Sequence, residues 1–195
     1  MNEEAIKNLI TQAVAGDRES FGEIYELTKN YVYRTVWFLS EDKTEVDDIV
    51  QEVYIRIFKS LGSYDSGLPF RPWLTGITLK QVGEVRRKKW KLTRLVERLF
   101  SHGQSHEADV ANTVMERELY HQVLRRVEKL TPKLKEVILL RYVHDFSQEE
   151  IAQITEIPLG TVKSRLNSAL TKLRGDNSIQ ALGITKEQEG ESHGF

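Results

Sequence analysis

The sequence predicts an all-α protein of two small helical domains joined by a flexible linker, and three observations support this. Apolar residues recur at three- and four-residue intervals through most of the first hundred residues and again from about Val114. Between them SHGQSHEAD, residues 101–109, is polar, contains glycine and lacks periodic hydrophobics, as a tether does. No segment alternates apolar with polar residues as a half-buried strand would, and no tandem repeat stands out. At 195 residues the chain has room for one medium domain or two small ones.

Each element follows from the spacing. Ile6, Leu9, Ile10, Ala13 and Val14 mark a first apolar stripe. Phe21, Ile24, Tyr25 and Leu27 open a second, which continues over residues 31–39. Val46, Ile49, Val50, Val53, Tyr54, Ile57, Phe58 and Leu61 form a third, so three or four helices occupy the first sixty residues. LGSYDSGLP, with Gly62, Gly67 and Pro69, is a loop, and Pro72 suits the first turn of the helix that follows. Periodicity resumes through Leu119, Val123, Leu124 and Val127, and Thr131-Pro132 opens the helix PKLKEVILLRYV. Ser147 and Glu150 form a capping-box pair, with Ile151, Ala152 and Ile154 as the inner face of a short helix. EIPLG interrupts it, and Thr161 is expected to cap a second helix whose stripe is Val162, Leu166, Ala169, Leu170 and Leu173. From Asp176 onward glycines and charges lack a stripe, which predicts a mobile tail.

Composition sets bounds. The chain has no cysteine, so it has no disulfide framework, thiolate metal site or thiol nucleophile, in keeping with a reducing compartment. The acidic, amphipathic N-terminus is unlike a signal peptide, and no apolar run approaches the ~20 residues of a membrane span. A cytoplasmic protein without direct membrane insertion is expected. The formal net charge of -1 hides a segregation: residues 1–66 carry 7 Lys+Arg against 13 Asp+Glu, and residues 70–100 carry 9 against 2. A basic segment of this kind meets a polyanion, while the acidic segment meets something else.

The two helices on either side of EIPLG read as a helix-turn-helix, whose second helix enters the DNA major groove. Thr161, Lys163, Ser164, Arg165, Asn167 and Ser168 lie off its apolar stripe and are the candidate readers. Arg and Lys contact guanine, Asn makes a bidentate contact to adenine, and Ser or the helix N-terminus holds phosphate.

The segment LRYVHDFSQEEIAQITEIPLGTVKSRL resembles region four of a bacterial RNA polymerase sigma factor of the extracytoplasmic-function (ECF) group in the sigma-70 family. EVDDIVQEVYIRIFKSLGSYD followed by FRPWLTGI resembles its region two. The resemblance implies a region-two bundle over residues 1–95, a linker over 96–115, a region-four helix-turn-helix over 116–175 and a tail over 176–195. It implies an alternative sigma factor that binds core RNA polymerase, recognises promoter DNA, melts it at the minus-ten element and directs initiation without catalysis of its own. Capture of unpaired bases needs flat rings and cations, and a flipped base costs a few kcal/mol of unstacking. The positions implied are Tyr64, Phe70, Arg71, Trp73, Lys80, Arg86, Arg87, Lys88 and Lys89. Asp48, Gln51 and Glu52, one turn apart on the acidic helix, are implied as the polymerase contact. An anti-sigma partner, often membrane-bound, is implied as well. Three departures from the family stand out: Lys80 where Asn is usual, Glu156 in a turn that commonly holds Gly, and Asn167 and Ser168 where many relatives carry more basic or aromatic residues.

A stand-alone helix-turn-helix regulator is the alternative, but it leaves Trp73 and the acidic helix without a role and normally dimerises on a palindrome. An enzyme finds little support: no phosphate loop or nucleophile elbow occurs. His102 and His106 lack an HExxH context, and Asp47, Asp48 and Glu52 read as a solvated face, so neither metal nor cofactor is expected.

Overall fold

The computed structural model describes residues 3–99 and 125–174. The expected linker with its two histidines, the periodic segment from Val114 to Leu124 and the tail lie outside the described residues. The helices are α1 (Glu3–Val14), α2 (Arg18–Leu39), α3 (Val46–Ser60), α4 (Phe70–Leu99), α5 (Pro132–Ile138), α6 (Gln148–Thr155) and α7 (Leu159–Arg174). Among the described residues there is no strand.

The chain divides into two compact units. The first contains α1 to α4 together with Phe146–Ile157 and thus α6; the second contains α5 and α7.

In the first unit, Gly16 at φ +102° turns the chain out of α1, and the Asp17 carboxylate caps α2 by accepting from Glu19 N at 3.1 Å. Ile6, Ile24, Val36, Val53, Ile57 and Leu74 are almost completely buried and join α1 to α4 in one core. Two hydroxyl pairs tie helices within it: Thr28 Oγ1 with Tyr54 Oη at 2.8 Å between α2 and α3, and Tyr31 Oη with Thr75 Oγ1 at 2.6 Å between α2 and α4. Arg56 donates two hydrogen bonds to Glu84, at 2.9 and 2.6 Å, and clamps α3 to α4 in the bidentate geometry that favours Arg. Several predicted stripe members, Tyr25 among them, lie at the edge instead. Leu27 and Phe58 are each 56 % exposed and Val14 53 %, because a helix of this radius buries only part of a wide apolar stripe.

The capping box at α6 is complete: Glu150 N donates to Ser147 Oγ at 3.1 Å, and Ser147 N donates to Glu150 Oε2 at 2.7 Å. α6 ends at Glu156, which is left-handed at φ 54°, ψ 40°. Within this unit α6 packs along α4, where a Cβ at Gly76 would lie 3.8 Å from the Ile154 carbonyl oxygen.

In the second unit, α5 opens at Thr131-Pro132 as the sequence predicts, but PKLKEVILLRYV is not one regular helix. It widens to π geometry over Leu139–Val143, with His144 N donating to Leu139 O. Val137 and Leu140 from this segment and Val162 and Ala169 from α7 are fully buried. Thr161 does not cap α7, which starts two residues earlier. The Pro158 carbonyl accepts from Thr161 N at 2.8 Å and Val162 N at 3.1 Å, so Thr161 lies in the first turn.

Candidate nucleic-acid and polymerase interface

The loop before α4 is built by its own residues. Asp65 accepts from Gly67 N through Oδ1 at 2.8 Å and from Leu68 N through its carbonyl at 3.0 Å, closing a turn. A Cβ at Gly67 would meet Asp65 Oδ1 at 3.1 Å, so a larger residue would have to push that carboxylate aside by a few tenths of an ångström. The Tyr64 hydroxyl donates to the Leu68 carbonyl and holds the loop against an aromatic cluster. Its ring lies 5.1 Å from Trp73 and 5.7 Å from Phe70, and Phe70 lies 5.5 Å from Trp73.

This placement corrects one expectation. Phe70 is fully buried and presents no ring face to a base, because position 70 falls on the same face of α4 as Leu74 and points into the core. Tyr64 and Trp73, both half-buried, carry the accessible aromatic surface above it. Burial pushes the Tyr64 phenol up, helped by the negative charges of Glu3 and Asp65.

Along α4 the cations occupy different environments. The Arg71 guanidinium lies over two rings, 5.3 Å from Tyr31 and 4.9 Å from Phe146, and is half-buried. Lys80 Nζ donates to Glu156 Oε1 at 2.7 Å, so these two residues, 76 positions apart, meet each other. Arg86 is half-buried, while Arg87 and Lys88 are exposed. Lys89 is paired with Glu45 at 2.6 Å and Asp42 at 3.3 Å, which ties α4 to the 3-10 turn Lys43–Glu45 ahead of α3. These bonds raise the Lys89 ammonium, the one to Glu45 most.

On α3, Asp48, Gln51 and Glu52 are exposed on one face, and Ile55 continues that face at 39 % exposure. On α7, Lys163, Ser164, Asn167 and Ser168 are exposed and Thr161 and Arg165 half-buried, all off the buried stripe of Val162, Leu166, Ala169 and Leu173. The Ser164 hydroxyl donates to the Thr161 carbonyl at 3.0 Å. Among the described residues no group of three His, Asp or Glu side chains could hold a metal ion, and no helix is long and apolar enough to cross a membrane.

Three residues of this surface escape sequence reasoning: Glu3, Tyr31 and Phe146 reach it from 44 to 75 residues away in the chain. The one sequence signal for Glu3 is the absence of a side-chain acceptor at Leu68-Pro69, which leaves the start of α4 without a local cap.

Residues 24–92 match the family "Sigma-70 region 2", and residues 120–173 match "Sigma-70, region 4". Two regions in this order, together covering more than half of the chain, place it in the sigma-70 family of RNA polymerase sigma factors. Its relatives belong to the ECF group. The ECF RNA polymerase sigma factor SigW of Bacillus subtilis is 29% identical over 177 residues, covering 87% of this chain and 95% of that one. The ECF sigma-E factor of Escherichia coli K12 is 29% identical over 184 residues, covering 89% and 94%. The fold matches the sigma factor RpoE of Bartonella quintana, solved with the anti-sigma factor NepR, at TM-score 0.63 and 20% identity over 86% of this chain and 99% of that one. It also matches CnrH, solved with the cytosolic domain of CnrY, at TM-score 0.62 and 23% identity over 93% and 99%.

Proposed function

We propose that the chain is an alternative sigma factor of the ECF group that binds core RNA polymerase and directs initiation at its own class of promoter. Regions two and four lying in one chain in that order is the observation that carries this. In this account α3 docks on the polymerase through Asp48, Gln51 and Glu52, whose charge sets orientation and on-rate more than affinity. Tyr64 and Trp73 stack on unpaired minus-ten bases, with Phe70 supporting them from below. Arg86, Arg87 and Lys88 follow the strand's phosphates, while Arg71, Lys80 and Lys89 can join only by exchanging present partners for DNA. The polar face of α7, Thr161 to Ser168, reads the minus-thirty-five element.

The factor supplies recognition and melting and leaves catalysis to the polymerase. Two modules on one chain gain effective concentration at the second element once the first is bound. An anti-sigma partner belongs to the account by analogy with the Bartonella quintana factor, whose structure holds one. Electrophoretic retardation tests the function against a stand-alone regulator. Promoter DNA should shift with core polymerase and this chain together and hardly with the chain alone. A specific shift by the chain alone, as a dimer, contradicts it.

A further inference from the structure

We infer that Glu3 is a positioning residue for base capture, fixing from the first turn of α1 the start of the helix that carries the aromatic platform. The inference rests on the base-capture role proposed above and adds to it a residue that lies outside both matched family regions.

The first N–H groups of a helix have no partner inside it and are normally met by a polar side chain at the cap. α4 follows Leu68 and Pro69, neither of which has a side-chain acceptor. Its Phe70 N–H instead donates to Glu3 Oε2 at 3.1 Å, across 67 positions in the chain. A carboxylate there also meets the positive end of a 30-residue helix, where negative charge is favoured. Glu3 is itself held in place, since Ile6 and Ile10 in the same helix are buried in the core.

The position fixed in this way matters because of what Phe70 supports. Its ring is fully buried and touches both rings with accessible faces, Tyr64 at 5.7 Å and Trp73 at 5.5 Å. The backbone at Phe70 therefore sets the height of both rings against the loop, and a shift there changes which bases fit. Glu3 also lies close enough to Tyr64 for its charge to be felt by the phenol. Glu3 acts on DNA only through Phe70, Tyr64 and Trp73.

The test compares Glu3→Ala, Glu3→Gln and Trp73→Ala in the full chain with core polymerase. Each is assayed on a promoter and on a set of variants with each minus-ten base replaced in turn. The readout is discrimination, the ratio of initiation on the parent promoter to that on each variant. Loss of a cap costs about 1 kcal/mol where the cap acts, which predicts a fall of about fivefold in discrimination at one or two positions for Glu3→Ala, with core affinity little changed and a melting temperature lowered by only a few degrees. Glu3→Gln keeps an acceptor oxygen and should discriminate within about twofold of the parent, the spread expected of a retained cap. Unchanged discrimination in Glu3→Ala, or an even loss at every minus-ten position that follows reduced core affinity, overturns the inference. Trp73→Ala separates the two levels. If it abolishes discrimination while Glu3→Ala does not, only the role of Glu3 fails; if neither variant changes discrimination, base capture by this platform fails too.

Discussion

Lys80 and Glu156 form an ion pair at 2.7 Å between the middle of α4 and the left-handed residue that ends α6. The bond to Lys80 holds the Glu156 carboxyl below its ordinary value. Both side chains are more than half exposed, so salt screens the pair and DNA can compete with it. Glu156→Gln releases the ammonium and should tighten binding of the chain–polymerase complex to a single-stranded minus-ten oligonucleotide at low salt, converging on the parent at high salt. Lys80→Ala should make the salt dependence shallower by about 0.7 in log–log slope, the loss expected for one phosphate contact on a single strand. Equal slopes for parent and Lys80→Ala would remove Lys80 from the DNA contact.

The Arg56–Glu84 clamp makes stability depend on acid. Hydrogen bonding to Arg56 is the main cause that holds the Glu84 carboxyl below its ordinary range. A carboxyl depressed in the folded state contributes stability above its unfolded pKa and loses it as pH falls through the folded value. Unfolding by urea should therefore show that the parent loses part of its margin below about pH 4.5 and that Glu84→Gln loses less over the same range. At neutral pH a double-mutant cycle of Arg56→Ala and Glu84→Ala should give about 0.5–1 kcal/mol, since both side chains are about a third exposed to screening. A cycle of zero would mean the clamp contributes nothing.

Burial pushes the Tyr54 phenol up to about 12, against a lowering by its bond with Thr28. The neutral phenol is favoured in the fold, so this stabilisation is complete below pH 10 and is lost as pH rises from about 10 toward 12. Burial raises Tyr31 and Tyr64 as well, so ultraviolet titration should show several tyrosines ionising late, and Tyr54→Phe should remove the part that extends to about pH 12. A parent and Tyr54→Phe with identical titration up to about pH 12 would contradict the packing of α2 on α3.

On the proposed assignment of Asp48 and Glu52 to the polymerase and of Arg165 to DNA, the two functions are separable. Replacing both with Lys should weaken core binding about tenfold or more, mostly in the association rate, and leave the melting temperature nearly unchanged. Arg165→Ala should do the reverse, costing about 1–3 kcal/mol of upstream-element recognition with core affinity intact. Matched losses of both activities in either variant would contradict the division of labour.

Helical spacing made most of the fold legible. The stripes of α1 to α4, the Ser147–Glu150 capping box and the Thr131-Pro132 start are local patterns, each set by residues three or four apart. The polar face of α7 was legible for the same reason. Burial at Phe70 was not, since an aromatic residue at a loop–helix junction fits a base platform and a core equally well until the partner helix is placed. Thr161 misled because a cap preference gives way when Pro158 already supplies the first helical carbonyl. The Lys80–Glu156 pair lay beyond sequence reasoning for a different cause. Each residue stood out alone, but a contact across 76 positions depends on how α6 packs, which no local spacing encodes.

Transcription from a library of genomic promoter fragments, with purified core polymerase and with or without the chain, tests the central claim most directly. New and discrete start sites that appear only with the chain, sharing one upstream and one minus-ten sequence, are the predicted result. An unchanged set of starts, together with sequence-specific duplex binding by the chain alone, would contradict it.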